Sequence, residues 1–179
     1  KLRILAIGKP KLGYAGEGVR EYTGRLKHYV PLDLEFLKGH DESSALLSRS
    51  ERGYRIALDE RGSQLTTLEI SEGLTRLENS PGIKNVAFLI GGANGHSPAL
   101  RDQCDEIWSL STMTMQHELA LVVLLEQLYR AYTVKRGSLI TESDLWTVLS
   151  NSLALLTLRQ RSRKASQVAS TGLDLGRFW

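Results

Sequence analysis

Two loops carry the residue types from which a ligand site can be built. The first is Phe88-Leu-Ile-Gly-Gly-Ala-Asn-Gly95, an apolar run that ends in clustered glycines. The second is Trp108-Ser-Leu-Ser-Thr-Met-Thr-Met-Gln-His117, a short apolar run that ends in small hydroxyl residues. Glycines at a strand end let a ligand approach the backbone closely. Two such loops side by side at the carboxyl edge of a parallel sheet form a cofactor crevice. A pair of ordinary turns has the same glycine spacing, so spacing by itself leaves both readings open.

The elements that must position these loops follow from periodicity. Leu2 to Ile7 reads as a strand ending at Gly8, and Val19, Tyr22, Leu26 and Tyr29 recur at helical spacing until Pro31. Leu32, Leu34 and Phe36 alternate with acidic residues as a second strand. Glu42 to Ser50 reads as a short helix, and Tyr54 to Leu58 as a third strand closed by Asp59-Glu-Arg-Gly62. Thr66 and Glu69 have the spacing of a capping box, opening a helix expected to bury Leu68, Leu74 and Leu77 before Pro81-Gly82. Val86 to Ile90 is apolar throughout, as in the middle of a parallel sheet. Ser97-Pro98 fits an N-cap with proline in the first helical position. Ile107 to Leu110 gives a fifth strand, and His117 to Val134 a strongly apolar helix with Leu121, Leu124, Leu125 and Leu128 as a broad stripe. A stripe that wide predicts burial on two sides, against the sheet and against a second subunit. Alternation of strand and helix predicts an α/β domain with a mainly parallel sheet and helices on both faces.

With 179 residues the chain is long enough for one domain with a substantial core. Its 41% hydrophobic and 24% charged residues are those of a soluble globular protein. A net charge of +3 is compatible with a nucleic-acid partner without requiring one. The single cysteine, Cys104, cannot form an intramolecular disulfide and suggests no metal site, so a reducing cytoplasm is the expected compartment. The opening Lys1–Gly8 is expected to be a strand rather than a signal peptide, and no apolar run is long enough to span a bilayer.

Taken together, three segments resemble the bacterial ribosomal RNA large subunit methyltransferase H family of SPOUT methyltransferases. They are Leu89-Ile-Gly-Gly-Ala-Asn-Gly-His-Ser97, Trp108 to His117, and Leu125-Glu-Gln-Leu-Tyr-Arg-Ala131. Leu5-Ala-Ile-Gly-Lys9, Glu21-Tyr22 and Leu58-Asp59 support the likeness, which runs from Lys1 to about Gly137. The resemblance implies a trefoil knot near the C-terminus of the fold, a homodimer and bound S-adenosylmethionine. It implies methyl transfer to N3 of a pseudouridine in 23S rRNA on assembled ribosomes. Carried over by position, the cofactor pocket would use Leu58, Gly92 and the loop Leu110, Ser111, Thr112, Met113, Thr114 and Met115. His117 matches the histidine that begins the last family helix, and Arg130 an arginine near the reacting base.

These assignments suit the chemistry. Adenine needs a flat apolar slot, which Leu58, Leu110 and Met113 can supply. A guanidinium such as Arg130 can stabilise negative charge developing on the base as the N3 proton leaves. Each residue also has a structural reading: Arg130 pairs with Glu126 one turn earlier, and His117 makes a helix-start hydrogen bond instead of serving as a base.

Beyond Gly137 the likeness stops. The family continues approximately Arg-Gly-Glu-Pro-Tyr-His-Arg, a tail that contacts substrate across the dimer interface, whereas this chain reads Arg136-Gly-Ser-Leu-Ile-Thr-Glu142. Deleting one guanine from GGG GAG CCT TAT CAC AGA, a coding string for Gly-Glu-Pro-Tyr-His-Arg, yields Gly-Ser-Leu-Ile-Thr followed by an acidic residue. Residues 138–179 are therefore read as an atypical, frameshifted extension, expected to be poorly ordered, beside a methyltransferase domain at 1–137. The basic run Arg159-Gln-Arg-Ser-Arg-Lys164 reads either as a solvated tail or as an RNA contact. The family also commonly carries arginine where this chain has Leu121; if that arginine contacts RNA or the partner subunit, leucine keeps the helix but removes a charge that can engage phosphate bidentately. The competing function is a non-catalytic RNA- or ribosome-binding dimer on the same fold. A Rossmann-like nucleotide-binding protein is disfavoured, because Gly8-Lys-Pro-Lys-Leu-Gly13 lacks the GxGxxG turn.

Overall fold

The computed structural model describes residues 1–137; the extension read at 138–179 lies outside the described residues. Five strands form one sheet: β1 (Leu2–Ile7), β2 (Leu32–Leu37), β3 (Tyr54–Gln64), β4 (Val86–Ile90) and β5 (Glu106–Ser109). Their order is β2-β1-β4-β3-β5, and every pairing is parallel. The wholly apolar β4 is the central strand, and all five of its residues are buried.

Strand alternation divides the core in two. Leu2, Ile4, Val86, Phe88, Ile90 and Ile56 face one layer, where they meet α1 (Gly13–Leu26), α3 (Thr67–Asn79) and α5 (His117–Lys135). Leu5, Ile7, Ala57, Ala87 and Leu89 face the other, covered by α2 (Glu42–Arg49) and the short α4 (Pro98–Arg101). Helices on both faces are what a buried parallel sheet requires.

Several local expectations hold in atomic detail. Thr66 Oγ1 accepts from the Glu69 amide at 3.2 Å while the Thr66 amide donates to Glu69 Oε2 at 2.7 Å, completing the capping box of α3. Ser97 caps α4 with Pro98 in its first turn.

Three details differ. The first helix ends at Leu26, a turn before Pro31, and Tyr29 and Val30 return their amides to the Leu26 carbonyl. In α3 it is Ile70 that is buried with Leu74 and Leu77, while Leu68 is half-buried. The third strand does not stop at Leu58. Asp59-Glu-Arg-Gly62 bulges out, and β3 then pairs with β5 again, so that Trp108 faces both Leu58 and Ser63. Gly62 lies so close to β5 that a Cβ there would stand 2.6 Å from the Ile107 carbonyl carbon.

The leucine stripe of α5 is buried on two sides, but within this chain. Leu124, Leu125 and Leu128 are fully enclosed, and α1 and α3 flank the helix. Leu121, where the family commonly has arginine, is part of the same core. The close approach of α1 rests on Gly18, where a Cβ would stand 2.8 Å from Val122 Cγ1.

Candidate functional site

The carboxyl ends of three adjacent strands, β4, β3 and β5, open into one cleft of about 270 Å³. Leu58 from β3, Ile90 from β4 and Leu110 after β5 give it apolar walls. The loop after β4, Gly91 to Gly95, supplies backbone, and Ser111 with residues 113–115 supplies the opposite lip. The cleft lies outside the carboxyl edge, where open α/β sheets bind ligands.

The two loops are held by their own hydrogen bonds. Ser109 Oγ donates to the Ser111 carbonyl at 2.8 Å, and the Met113 amide donates to Ser111 Oγ at 3.1 Å. Thr114 Oγ1 donates to Glu60 Oε2 at 2.9 Å, linking the lip to the bulge of β3. In the glycine loop the Gly95 amide returns to the Gly92 carbonyl at 3.1 Å, and Gly95 has φ +67°, a left-handed conformation that glycine adopts without strain. His96 Nε2 donates to the Leu89 carbonyl at 3.1 Å, which leaves Nδ1 bare and buried without a hydrogen-bond partner among the described residues. Burial pushes the His96 pKa below its ordinary value, so the ring is neutral near pH 7.

Charge at the cleft is concentrated on the bulge. Asp59 is enclosed, between Arg61 at 3.2 Å and Arg101 at 3.3 Å. Burial pushes its carboxyl up, but the Arg61 amide and the two guanidinium groups outweigh that effect and hold it below the usual carboxylate range. Arg101 also donates to the His96 carbonyl at 2.6 Å, joining bulge and glycine loop.

His117 and Ala120, at the start of α5, close the cleft from below. Among the described residues no side chain caps this end of the helix, so its first amides present a partial positive charge. The neighbouring Glu118 turns away and accepts the amides of Lys11 at 2.9 Å and Leu12 at 3.0 Å. Those bonds hold its pKa below the usual carboxylate range.

Of the positions expected from the sequence, Leu58, Gly92, Leu110, Ser111, Met113, Thr114, Met115 and His117 all line this cleft. Thr112 lies in the same loop but does not line it. Met113 is 73% exposed and forms a lip instead of an enclosed wall. Arg130 stands thirteen residues after His117 in the same continuous helix, about 20 Å along the axis, and is not among the lining residues. Its Nε donates to Glu126 Oε1 at 2.8 Å, the pairing one turn back that its spacing allows. The bulge residues Asp59, Glu60 and Arg61 also form part of the wall, which their turn-like sequence after Leu58 does not announce.

Two further absences hold among the described residues. No helix is long and apolar enough to cross a membrane, and no group of three or more His, Cys, Asp or Glu is placed to hold a metal ion.

Comparison with known proteins bears on the whole of this unit. Residues 1–139 match the family described as "Predicted SPOUT methyltransferase". A ribosomal RNA large subunit methyltransferase H of Thermus thermophilus is 47% identical over 137 residues, 76% of this chain and 95% of the relative. One from Deinococcus radiodurans is 40% identical over 140 residues, again 76% and 95%. Among solved structures, a probable methylase family protein from Haemophilus influenzae superposes with TM-score 0.52 at 12% identity, covering 92% of this chain and 88% of that one. A probable methyltransferase from Bordetella pertussis superposes with TM-score 0.51 at 16% identity, covering 73% and 93%. The structural likenesses establish the shared fold.

Proposed function

The chain belongs to the SPOUT methyltransferase family, and from that premise we propose that it methylates ribosomal RNA of the large subunit. In full, the reading is transfer from S-adenosylmethionine to N3 of a pseudouridine in 23S rRNA, on assembled ribosomes in the cytoplasm. One observation carries it: the cleft at the carboxyl ends of β3, β4 and β5 combines apolar walls, a glycine backbone and an uncapped helix start. That combination fits a ligand with a flat apolar ring and a charged amino-acid tail.

In this reading Leu58, Ile90, Leu110 and Met115 hold the adenine, while Gly92 and the loop at residues 110–115 offer backbone groups to the rest. S-adenosylmethionine supplies an electrophilic methyl group when bound. The protein's contribution is alignment of the base nitrogen and exclusion of competing geometries. His117 lines the cleft as the first residue of α5.

Loss of the N3 proton leaves negative charge on the base, which a guanidinium stabilises. Arg130 lies about 15 Å along α5 beyond Ala120, the last residue of that helix to line the cleft, so this role falls to Arg130 of the partner subunit. The reading therefore includes a homodimer, and with it the knotted path of the family fold. The apolar surface for that contact is not the α5 stripe, which is already enclosed. It is Leu12, Tyr14, Met113 and Leu119, the large hydrophobic side chains exposed among the described residues. They lie on segments 12–14 and 113–119, which Glu118 ties together at the cleft end of the molecule.

Two measurements test this. Calorimetry is expected to show S-adenosylmethionine binding, and a methyl-transfer assay on ribosomes lacking the modification to show labelling of large-subunit RNA. Binding without any transfer, even after the repair of the tail described below, would favour the non-catalytic RNA-binding reading. Sedimentation is expected to show a dimer at micromolar concentration that dissociates in Tyr14→Asp plus Leu119→Glu. A monomer in the unmodified chain would remove Arg130 from the site.

A further inference from the structure

The glycine loop is held from behind by a helix that does not line the cleft. Glu42 and Ser43 open α2, on the opposite face of the sheet from α5. The Gly92 amide donates to Glu42 Oε2 at 3.3 Å, and the hydroxyls of Ser43 and Ser97 share a hydrogen bond of 3.0 Å. Two consecutive residues of α2 therefore grip both ends of the loop from 92 to 97. Asp41 fixes the helix start itself, accepting the Ser44 amide at 2.9 Å.

Position 92 shows how close that grip is. A Cβ there would stand 2.6 Å from Glu42 Oε1, 2.9 Å from Oε2 and 3.1 Å from Cδ. The nearest obstacle to a side chain at position 92 is thus the Glu42 carboxylate. The loop has little freedom to yield, because a Cβ at the preceding Gly91 would stand 3.0 Å from the Gly95 carbonyl carbon.

We infer that Glu42 is the positioning residue of the glycine loop, and that position 92 must be glycine to admit its carboxylate. The consequence for ligand binding rests on the cofactor reading given above; the consequence for the loop does not. Glu42 needs only its acceptor oxygen for this task, so an amide at the same place preserves the contact. An alanine at position 92 displaces the flexible carboxylate and forfeits the same hydrogen bond that Glu42→Ala forfeits. The two substitutions are therefore two ways of breaking one contact.

The test uses the full chain and Glu42→Ala, Glu42→Gln, Gly92→Ala and the double variant Glu42→Ala/Gly92→Ala. Without ligand, hydrogen exchange of the Gly92 amide is expected to accelerate about tenfold in Glu42→Ala and to stay near its original rate in Glu42→Gln. Affinity for S-adenosylmethionine is expected to fall about tenfold in each alanine variant, and about tenfold, not a hundredfold, in the double variant. Glu42→Gln should stay within about threefold of the unmodified chain. Unchanged Gly92 exchange in Glu42→Ala, or affinity losses that multiply in the double variant, would overturn the assignment. If the unmodified chain binds no S-adenosylmethionine, the cofactor reading fails, and the exchange measurement alone still decides the role of Glu42.

Discussion

A chain repaired to read Gly-Glu-Pro-Tyr-His-Arg after Arg136 is expected to methylate unmodified ribosomes about a hundredfold faster than the chain as it stands. The family uses that tail to contact substrate, and here the sequence departs from it directly after Gly137. Every cleft residue among those described precedes the departure. Affinity for S-adenosylmethionine should therefore be the same in both chains to within about twofold, while the rate of transfer differs greatly. A misplaced reacting base costs rate without touching the cofactor, and losing alignment by an ångström can cost about a hundredfold. Methyl transfer under single-turnover conditions, with the two chains side by side, measures the difference. Equal rates would show that residues 138–179 serve the reaction and that the frameshift reading is wrong.

Gly92→Val is expected to weaken S-adenosylmethionine binding by at least about a hundredfold, well beyond the effect of Gly92→Ala. Alanine meets one flexible carboxylate, which can swing aside. Valine adds two methyl groups on a stiff, branched carbon, where 2.6 Å already separates Cβ from Glu42 Oε1. The loop must then move, and its movement displaces the wall shared by Gly91 to Gly95. Calorimetry of the variant, with a thermal melt to establish that it is folded, reads the loss. Unaltered affinity in a folded variant would remove Gly92 and its loop from the cofactor site.

Much of the fold is legible in the sequence because local rules and long-range packing agree. Apolar β4 reads as a central strand, and Thr66 with Glu69 reads as a cap, because each signal lies within a few residues. The cleft lining is legible for the same reason: the glycine and hydroxyl residues follow directly on their strands. Failures occur where a distant partner decides. Asp59-Glu-Arg-Gly62 has the chemistry of a closing turn, and Asp59 does accept the Arg61 amide at 3.1 Å. Pairing with β5 then resumes the strand, which no local pattern announces. The stripe on α5 correctly signalled two-sided burial, but periodicity cannot distinguish α1 and α3 from a second subunit. Glu42 was invisible as a site residue, since fifty positions separate it from Gly92 and no spacing rule connects them. Arg130 shows the converse: its i, i+4 pairing was readable, and its distance from the cleft follows once the helix is seen to run unbroken.

Trp108 is buried on β5, edge-on to Phe88 at 5.3 Å between ring centres, with its indole N–H donating to Glu106 at 2.6 Å. Glu106 also accepts from the Tyr54 hydroxyl at 2.8 Å, whose pKa burial and this carboxylate push up to about 12. The indole is thus fixed by the Glu106 side chain two residues before the lip of the cleft begins. The other tryptophans of the chain, Trp146 and Trp179, both follow Gly137. A repaired chain that ends with the family tail loses both and keeps Trp108 as its single tryptophan. Its fluorescence then arises from one buried environment adjoining the cleft. The repaired protein carries its own optical reporter of ligand entry, with no label added.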